Sequence, residues 1–298
     1  MIFTKLYFRI LSKIIKQTFV IWQRLGFHIT VNHFYEPIPD TGKLTDAVWS
    51  RESPMKGIEL HVDKQLVFLD TVCSRFKHEY DSFGLNSPES DCSYYSQNGA
   101  FGEIDGDILY SMIREHRPKK IIEIGSGWST QLAGYALERN RIEYGISGQI
   151  YAIEPYPNKI LKAGFPGLTQ LIEKTVQEVD LTVFEALEEN DILFIDSSHI
   201  VKTDSDVCYE FLEILPCLKK GVLVHIHDIF LPREYPKNWV VNQKLFFNEG
   251  YLLQAFLMFN HAFEVIWAGN YIKLKYPEKC AQLFRTQASQ SFWIRKIE

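Results

Sequence analysis

The chain has few cysteines, and no two of them lie close together in the sequence. Its 298 residues include five, an odd number without a Cys-x-x-Cys pair: Cys73, Cys92, Cys208, Cys217 and Cys280. Structural zinc sites need closely spaced ligands, and disulfide frameworks need cysteines in pairs. We therefore expect neither feature, and a reducing, cytoplasmic compartment is the favoured location.

Acidic residues are absent from the first part of the chain. The first is Glu36, and the five basic residues before it give residues 1–30 a charge of +5: Lys5, Arg9, Lys13, Lys16 and Arg24. The whole chain carries −5, so removing this +5 leaves −10 for the remainder. Proteins whose main partner is a nucleic acid present a basic surface. The acidic remainder argues against that class.

Long apolar runs are also absent, since charges interrupt every run short of the ~20 residues that a membrane-spanning helix needs. The sequence contains no apolar core followed by a small-residue cleavage site, so we do not expect a signal peptide. Basic residues recur every three or four positions in residues 2–25, which predicts an amphipathic helix. Two interpretations of this helix stay open. It packs on the body or on a second subunit of a homo-oligomer, or it docks on an anionic membrane surface.

The remainder contains no internal repeat or low-complexity tract. Pro37 and Pro39 enforce an extended path at residues 33–40, which predicts a linker or a lid. Residues 41–93 are mixed and polar, and regular helical spacing returns at residues 105–116 before the first strand. We place the domain boundary near residue 95. Residues 1–94 form an N-terminal helix and lid or extension, and residues 95–298 form the main domain.

The main domain alternates strand-like and helical segments. Strands are predicted at residues 120–124, 149–153, 171–176, 191–195 and 221–226, and a long helix is predicted at residues 241–259. Such alternation is typical of a parallel sheet with helices on both faces. Two late strands, at residues 263–269 and 291–297, lack an ordinary crossover helix between them. The predicted fold is therefore α/β, with a mostly parallel sheet that ends in an antiparallel C-terminal pair.

The first predicted strand runs into a glycine turn, Glu123-Ile124-Gly125-Ser126-Gly127, and then into a helix. Glycine lets the backbone approach a ligand closely, and the helix start offers unpaired N–H groups. A dinucleotide-binding fingerprint needs a third glycine, and Thr130 stands at that position. The turn therefore predicts a nucleotide-containing ligand with room for an amino-acid headgroup beside the glycines.

Polar side chains follow each of the next strands. Glu154 follows the second strand, and Gln177 lies near the predicted end of the third. The fourth is followed by Asp196 and His199, and the fifth by His227 and Asp228. Ligands of such sheets bind at the carboxyl ends of the strands. A carboxylate after the second strand is suited to accept the hydroxyls of a ribose.

These motifs, Glu123–Gly127, Glu154 and residues 191–196, resemble those of class I S-adenosylmethionine-dependent methyltransferases. The resemblance covers approximately residues 95–298 and implies a Rossmann-like seven-stranded sheet. It places four residues at the methionine end of S-adenosylmethionine: Glu123, Gly125, Ser126 and Gly127. It implies further contacts from Glu154 to the ribose, from Gln177 to the adenine and from Asp196 to the cofactor.

The two histidine-containing strand ends resemble those of metal-dependent O-methyltransferases that act on natural-product sugars. By this resemblance Asp196, His227 and Asp228 would hold a divalent cation such as Mg²⁺, which lowers the pKa of a substrate hydroxyl. His199 would act as the general base, with His227 and Asp228 also in the catalytic set. His227 stands where those enzymes have a second carboxylate, which leaves a softer metal or no metal open.

Three other functions are kept as hypotheses. N-methylation would need no metal, because the carboxylates would orient an amine. A nicotinamide-dependent oxidoreductase is disfavoured by Thr130, and a non-catalytic nucleotide-binding protein would need none of the strand-end acids and histidines. The expected acceptor is a small molecule or a sugar-containing substrate, and aromatic residues that could line its cleft include Tyr35, Tyr94, Tyr95 and Phe101.

Overall fold

The computed structural model describes residues 2–86, 94–285 and 288–298 and divides the chain into two compact units. One runs as far as Ser50 and includes Pro236–Phe246, and the other comprises Arg51–Tyr235 and Phe247–Glu298. The predicted boundary near residue 95 does not coincide with this division. The reason is that Leu69 and Phe76 are buried in the same core as Ile108, so residues 51–86 belong with the main domain.

The smaller unit contains α1 (Ile2–Arg24), a 3₁₀ turn (Thr41–Lys43), α2 (Asp46–Ser50) and a π-helical turn (Asn238–Gln243). The helix predicted at residues 2–25 is confirmed. Lys237 and Asp46 form an ion pair within this unit, with 2.6 Å between Nζ and Oδ1. In the part of the chain that the structure describes, no helix has the length and apolar content needed to cross a membrane.

In its described residues the larger unit contains seven strands and eleven α-helices of very different lengths. The strands are β1 (Lys120–Ile124), β2 (Gln149–Ile153), β3 (Leu168–Ile172), β4 (Ile192–Ile195), β5 (Leu223–Ile226), β6 (Phe263–Ala268) and β7 (Phe292–Lys296). The helices before the sheet and around its first half are α3 (Val62–Phe68), α4 (Ser74–Tyr80), α5 (Glu103–His116), α6 (Trp128–Tyr144), α7 (Lys159–Ala163) and α8 (Thr182–Glu185). The later ones are α9 (Asp206–Tyr209), α10 (Leu215–Cys217), α11 (Glu249–Leu257), α12 (Gly269–Lys275) and α13 (Pro277–Leu283).

The strands form a single sheet in the order β3-β2-β1-β4-β5-β7-β6. Strands β1 to β5 are parallel, and β7 is antiparallel to both β5 and β6. Successive residues of β4 enter two different cores, Ile192 with the helices on one face and Leu193 with those on the other. A strand buried on both faces has a continuous apolar sequence, as in Ile192–Ile195. The predicted α/β class with an antiparallel C-terminal pair is confirmed.

Two predicted elements differ from the structure. Strand β3 spans Leu168–Ile172 rather than residues 171–176, because Thr175 begins a 3₁₀ turn, Val176–Glu178, that the side chain of Glu178 caps. Gln177 therefore lies in this turn and not at a strand end. The long helix predicted at residues 241–259 was wrong. The backbone breaks at Lys244, whose φ is +62°, and helix α11 begins only at Glu249.

No disulfide links the described cysteines, since Cys73, Cys208, Cys217 and Cys280 are all free thiols. Cys92 lies outside the described residues.

Candidate functional site

The glycine turn after β1 touches the backbone that follows β4. Gly125 has a φ of +75°, and a Cβ atom at this position would lie 1.9 Å from the carbonyl oxygen of Asp196. The N–H of Asp196 donates to the carbonyl of Ile124 at 2.9 Å, and the N–H of Gly125 donates to the carbonyl of Ile153 at 3.0 Å. The three central strand ends therefore meet at one point, where only glycine fits.

The start of α6 is capped by its own side chains. The N–H of Gly127 donates to Oγ1 of Thr130 at 2.9 Å, and Oγ of Ser129 donates to Oε1 of Glu123 at 2.5 Å. Thr130 thus takes a structural role at the position where a dinucleotide fold has its third glycine. In the described part of the chain, Oγ of Ser126 has no hydrogen-bond partner and is available to a ligand.

Glu123 is a buried carboxyl group at the base of this turn. Burial raises its pKa to about 8, although hydrogen bonds from Ser129 and Thr130 oppose the shift. Its Oε2 atom has no hydrogen-bond partner among the described residues. At neutral pH the side chain is therefore mostly protonated, and one oxygen remains free to meet a polar group of a ligand.

This shift makes Glu123 a source of pH-dependent stability. Its pKa is about 8 in the folded protein and has the ordinary value of 4.5 in the unfolded chain. The unfolded state therefore loses the proton first, and the folded state loses stability as pH rises from 4.5 to 8. We expect Glu123→Gln to remove this loss, with a gain on the order of 4 kcal/mol above pH 8 and little change below pH 4.5. Urea unfolding of the ligand-free protein across this range measures the difference.

The control for this experiment is Glu188→Gln, at an exposed carboxylate elsewhere on the same unit. Its unfolding free energy should follow the wild type at every pH. If Glu123→Gln also parallels the wild type throughout, Glu123 is not held protonated in the native protein.

A cavity of about 470 Å³ opens beside the glycine turn, between the ends of β1, β2 and β4. Glu154 lines it and bridges two loops, because its oxygens accept hydrogen bonds from the N–H groups of Ser126 at 3.2 Å and Tyr156 at 2.8 Å. Gln177 also lines it. Its Nε2 donates to the carbonyl of Asp204 at 2.9 Å, and its Oε1 has no partner among the described residues. The cavity is therefore rich in acceptors.

His199, Asp196 and Asp228 come together at the ends of β4 and β5. Nε2 of His199 lies 3.3 Å from Oδ1 of Asp196 and 3.4 Å from Oδ2 of Asp228. Its other ring nitrogen, Nδ1, lies 2.8 Å from Oε2 of Glu249 at the start of α11. The imidazole is 6% exposed, and Glu249 is fully buried. One histidine is thus enclosed by three carboxyl groups.

The charges of this cluster follow from burial and proximity. Burial alone would lower the pKa of His199, but the hydrogen bonds with Asp196 and Glu249 outweigh it and raise that pKa well above its usual value. Burial would likewise raise the pKa of Asp196, and the nearby imidazoles of His227 and His199 lower it instead. The pKa of Asp228 is raised by burial. His199 is therefore an imidazolium at neutral pH, paired with Asp196.

The backbone at this cluster is strained. His199 and Asp228 have φ values of +60° and +54°, in the left-handed region that side chains other than glycine seldom adopt. The carbonyl of His199 accepts hydrogen bonds from the N–H groups of Asn248 at 3.0 Å and Glu249 at 3.3 Å, which hold the strained loop in place. Strain of this kind concentrates at functional sites.

A second cavity, of about 330 Å³, lies against the other histidine of the pair, His227. Its walls come from the segment before α5, the start of α5 and the segment before β7, and include Ser96, Gln97, Gly102, Asp105 and Gln290. The ring of His227 packs against Phe101 with 5.0 Å between centroids, and Nε2 lies 3.7 Å from Oδ1 of Asp228. Its Nδ1 has no hydrogen-bond partner among the described residues.

The structure brings together most of the predicted site residues and adds others. Glu210 was not predicted, and the sequence placed Glu249 equally well in the cleft or on an exposed helix face. Both are fully buried beside the cluster, and burial raises the pKa of Glu210 well above its usual value. Oγ of Ser197 donates to Glu210 at 3.2 Å. Glu249 lies 50 residues from His199 in sequence. Only an acidic residue in an otherwise apolar helix could have indicated it, and an exposed helix face gives the same pattern.

Comparison with known proteins finds a matching family model and one relative of moderate identity. A family model described as "Methyltransferase domain" matches residues 122–229, which contain the glycine turn and the polar ends of β1, β2, β4 and β5. An uncharacterized protein of Archaeoglobus fulgidus is 35% identical over 168 residues, which make up 53% of this chain and 73% of that protein.

Solved structures of similar topology share less sequence. An apo structure of CmcI is 17% identical, with 71% of this chain and 82% of that chain covered and a TM-score of 0.41. A Mg-SAM structure of CmcI is 18% identical, with 74% and 84% covered and a TM-score of 0.37. The SAH-bound Podospora anserina methyltransferase PaMTH1 is 17% identical, with 91% and 100% covered and a TM-score of 0.41. These likenesses are loose, and no residue assignment depends on them.

Proposed function

Because this chain belongs to the class I S-adenosylmethionine-dependent methyltransferases, we propose that it methylates a hydroxyl oxygen of a small molecule bound beside His227. One observation carries this proposal. The buried Nδ1 of His227 has no hydrogen-bond partner among the described residues, and His227 lines a cavity of about 330 Å³. A buried polar atom left unpaired is costly, so it is suited to meet a ligand's hydroxyl group.

S-adenosylmethionine fits the larger cavity in this proposal. A volume of about 470 Å³ lies within the range of small-molecule sites, roughly 300–1,000 Å³. The carboxylate of Glu154 would accept the ribose hydroxyls, and the free Oε1 of Gln177 would accept from the adenine amino group. The methionine end would lie along Gly125 and Gly127, where the absence of side chains leaves the backbone accessible. The acceptor would then enter from the His227 side.

The reaction needs a base rather than a reducing or oxidising group. The acceptor oxygen attacks the methyl carbon, the carbon–sulfur bond breaks, and its electron pair returns to sulfur to give S-adenosylhomocysteine. The acceptor's proton passes to Nδ1 of His227. Asp228, whose Oδ1 lies 3.7 Å from Nε2, would stabilise the imidazolium that forms. A buried carboxylate behind a histidine base is a recurrent arrangement for this purpose.

His199 is less suited than His227 to act as the base, although the sequence pattern favoured it. Both of its ring nitrogens already face carboxyl groups, Nδ1 at 2.8 Å and Nε2 at 3.3 and 3.4 Å. An imidazolium in this position has no free lone pair to accept a proton. We propose instead that His199 holds Asp196 and Asp228 at a set separation next to the cofactor and partly neutralises them.

The residues predicted to bind a metal do not fit a divalent cation as they are arranged. The space between Asp196 and Asp228 is taken by Nε2 of His199, and His227 offers one nitrogen where Mg²⁺ prefers oxygen. In the described part of the chain, no group of three or more His, Cys, Asp or Glu side chains is placed to hold a metal ion. We therefore propose that methyl transfer proceeds without a metal.

We expect His227→Gln to lower kcat by about 100-fold or more, because the acceptor loses its base, while the Kd of S-adenosylmethionine changes little. The measurement is S-adenosylhomocysteine formation against a panel of sugars, phenols and amines, with titration calorimetry for the cofactor. His261→Gln, at an exposed histidine, is the matched control and should retain full activity.

Three results would contradict the proposal. Full activity of His227→Gln would remove the base from this residue. Turnover of amines alone would favour N-methylation, for which the carboxylates orient the acceptor. Loss of activity in EDTA, with recovery on addition of Mg²⁺, would show that a metal takes part and that His199 moves away from Asp196 and Asp228 to admit it.

A further inference from the structure

Helix α1 leaves one apolar side uncovered. Ile10, Ile14 and Ile21 are exposed to 53%, 49% and 58%, respectively. Their spacings of four and seven residues place them on the same side of a helix with 3.6 residues per turn. We call these three residues the isoleucine stripe. Apolar side chains in such a row are a feature of surfaces that meet another apolar phase.

A different side of α1 packs within its own unit. Ile15, Phe19 and Trp22 are only partly exposed, and the Phe19 ring stacks on His28 with 5.4 Å between centroids. Nε1 of Trp22 donates to Oγ1 of Thr18 at 3.1 Å. The helix therefore has a packed side that is distinct from the isoleucine stripe, so the stripe is not needed to hold the unit together.

Basic residues border the isoleucine stripe on one flank. At 100° per residue, Lys13 and Arg24 lie next to the stripe, and Arg9 and Lys16 lie one step further around the helix. We call these four residues the basic flank. No acidic residue precedes Glu36 in the sequence, and Glu36 itself lines a cavity together with Lys16. A row of apolar residues bordered by basic residues is typical of helices that lie in the membrane interface.

We propose that α1 docks parallel to a lipid bilayer that contains anionic phospholipids. The isoleucine stripe would enter the boundary between headgroups and acyl chains to a depth of roughly 5–10 Å, and the basic flank would contact the anionic headgroups. The two contributions act together, because apolar insertion holds the helix at the depth where the charges meet the phosphates. The partner follows from charge complementarity, since an anionic surface matches the flank.

Pairing of two copies through α1 is the competing interpretation, and charge disfavours it. Parallel pairing would bring two basic flanks close together, and the apolar row contains a polar residue, Gln17. A bilayer with anionic headgroups would attract the basic flank instead.

The test uses the full-length protein and sedimentation with vesicles of phosphatidylglycerol and phosphatidylcholine, or of phosphatidylcholine alone. We expect binding to the mixed vesicles only, and binding should weaken at high salt because salt screens the basic flank. Ile14→Asp should weaken binding by at least about tenfold, since it places a charge in the stripe. Combined Lys13→Gln and Lys16→Gln should weaken it by a similar factor.

Matched substitutions on the larger unit serve as controls. Ile142→Asp changes an isoleucine of α6 that is 61% exposed. Combined Lys219→Gln and Lys220→Gln remove two exposed positive charges from the larger unit. Both controls should bind vesicles like the wild type, and all variants should bind S-adenosylmethionine equally. This last readout separates the proposal from the enzymatic one.

Two results would overturn the proposal. One is binding to neutral and anionic vesicles alike, or binding that Ile14→Asp leaves unchanged. The other is a change of mass in sedimentation velocity, without vesicles, that Ile14→Asp reverses. That outcome would assign the isoleucine stripe to a second copy of this chain.

Discussion

Gly125→Ala is expected to weaken cofactor binding strongly and to destabilise the protein severely. The new Cβ would lie 1.9 Å from the carbonyl oxygen of Asp196, and a backbone oxygen can retreat only if the whole loop after β4 moves. The φ of +75° adds strain for any residue with a side chain. Together these costs are on the order of 3 kcal/mol or more, measured as the free energy of unfolding in urea.

The same movement would displace two residues of the proposed cofactor site. Gly125 and Asp196 meet at the junction of β1 and β4, so their displacement changes the glycine turn and the carboxylate together. We expect the Kd of S-adenosylmethionine to rise by about 100-fold or more, as measured by titration calorimetry.

Gly127→Ala is the matched control for Gly125→Ala, because its Cβ would meet no atom within 4 Å. Its φ of −173° suits any residue, so the unfolding free energy should change by about 1 kcal/mol or less. A cofactor lying along the turn would still meet the added methyl group. Gly127→Ala should therefore weaken cofactor binding without unfolding the protein. Equal stability of the two variants would contradict the close approach at Gly125.

Glu249→Ala is expected to have the second large effect. It removes the carboxylate that lies 2.8 Å from Nδ1 of His199, and it leaves a buried charged imidazole with an unsatisfied nitrogen. Loss of one partner from a buried ion pair costs about 3–5 kcal/mol. We therefore expect a loss of this size at neutral pH, measured by urea unfolding, together with a large fall in methyl transfer because the imidazole of His199 loses the partner that holds it beside Asp196 and Asp228.

The pH dependence distinguishes this ion pair from simple packing. The folded-state pKa of His199 is raised, so its contribution is fully present below the ordinary value of 6.5 and is lost as pH rises through the raised pKa. The difference between wild type and Glu249→Ala should accordingly shrink in alkaline solution. The control is Glu213→Ala, at an exposed carboxylate near α10, which should alter stability by less than about 0.5 kcal/mol. A pH-independent loss would indicate a cavity effect alone.

Much of the sheet could be predicted because its signals are local. Strands β1, β2, β4 and β5 are short apolar runs, and each polar residue at their ends stands directly after such a run. The glycine turn is equally local, since a left-handed residue beside a helix start must be glycine when the backbone is crowded. Strand β3 was misplaced because its residues are half-exposed and carry no continuous apolar pattern, with Thr169 and Gln170 exposed.

The sequence by itself determined the α/β class, the glycine turn and the polar residues at the strand ends, because each depends on the order of residues within one segment. Only the tertiary structure decided how these residues are paired. It set Glu249 of α11 against His199 and placed that imidazole between Asp196 and Asp228. It also left Nδ1 of His227 without a partner among the described residues, in a side chain that lines a separate cavity. Such pairings depend on how distant helices pack against the sheet, and no local pattern records them. The glycine turn is a local feature of the sequence, whereas the packing around two histidines decides that both ring nitrogens of His199 face carboxyl groups and that Nδ1 of His227 has no partner among the described residues.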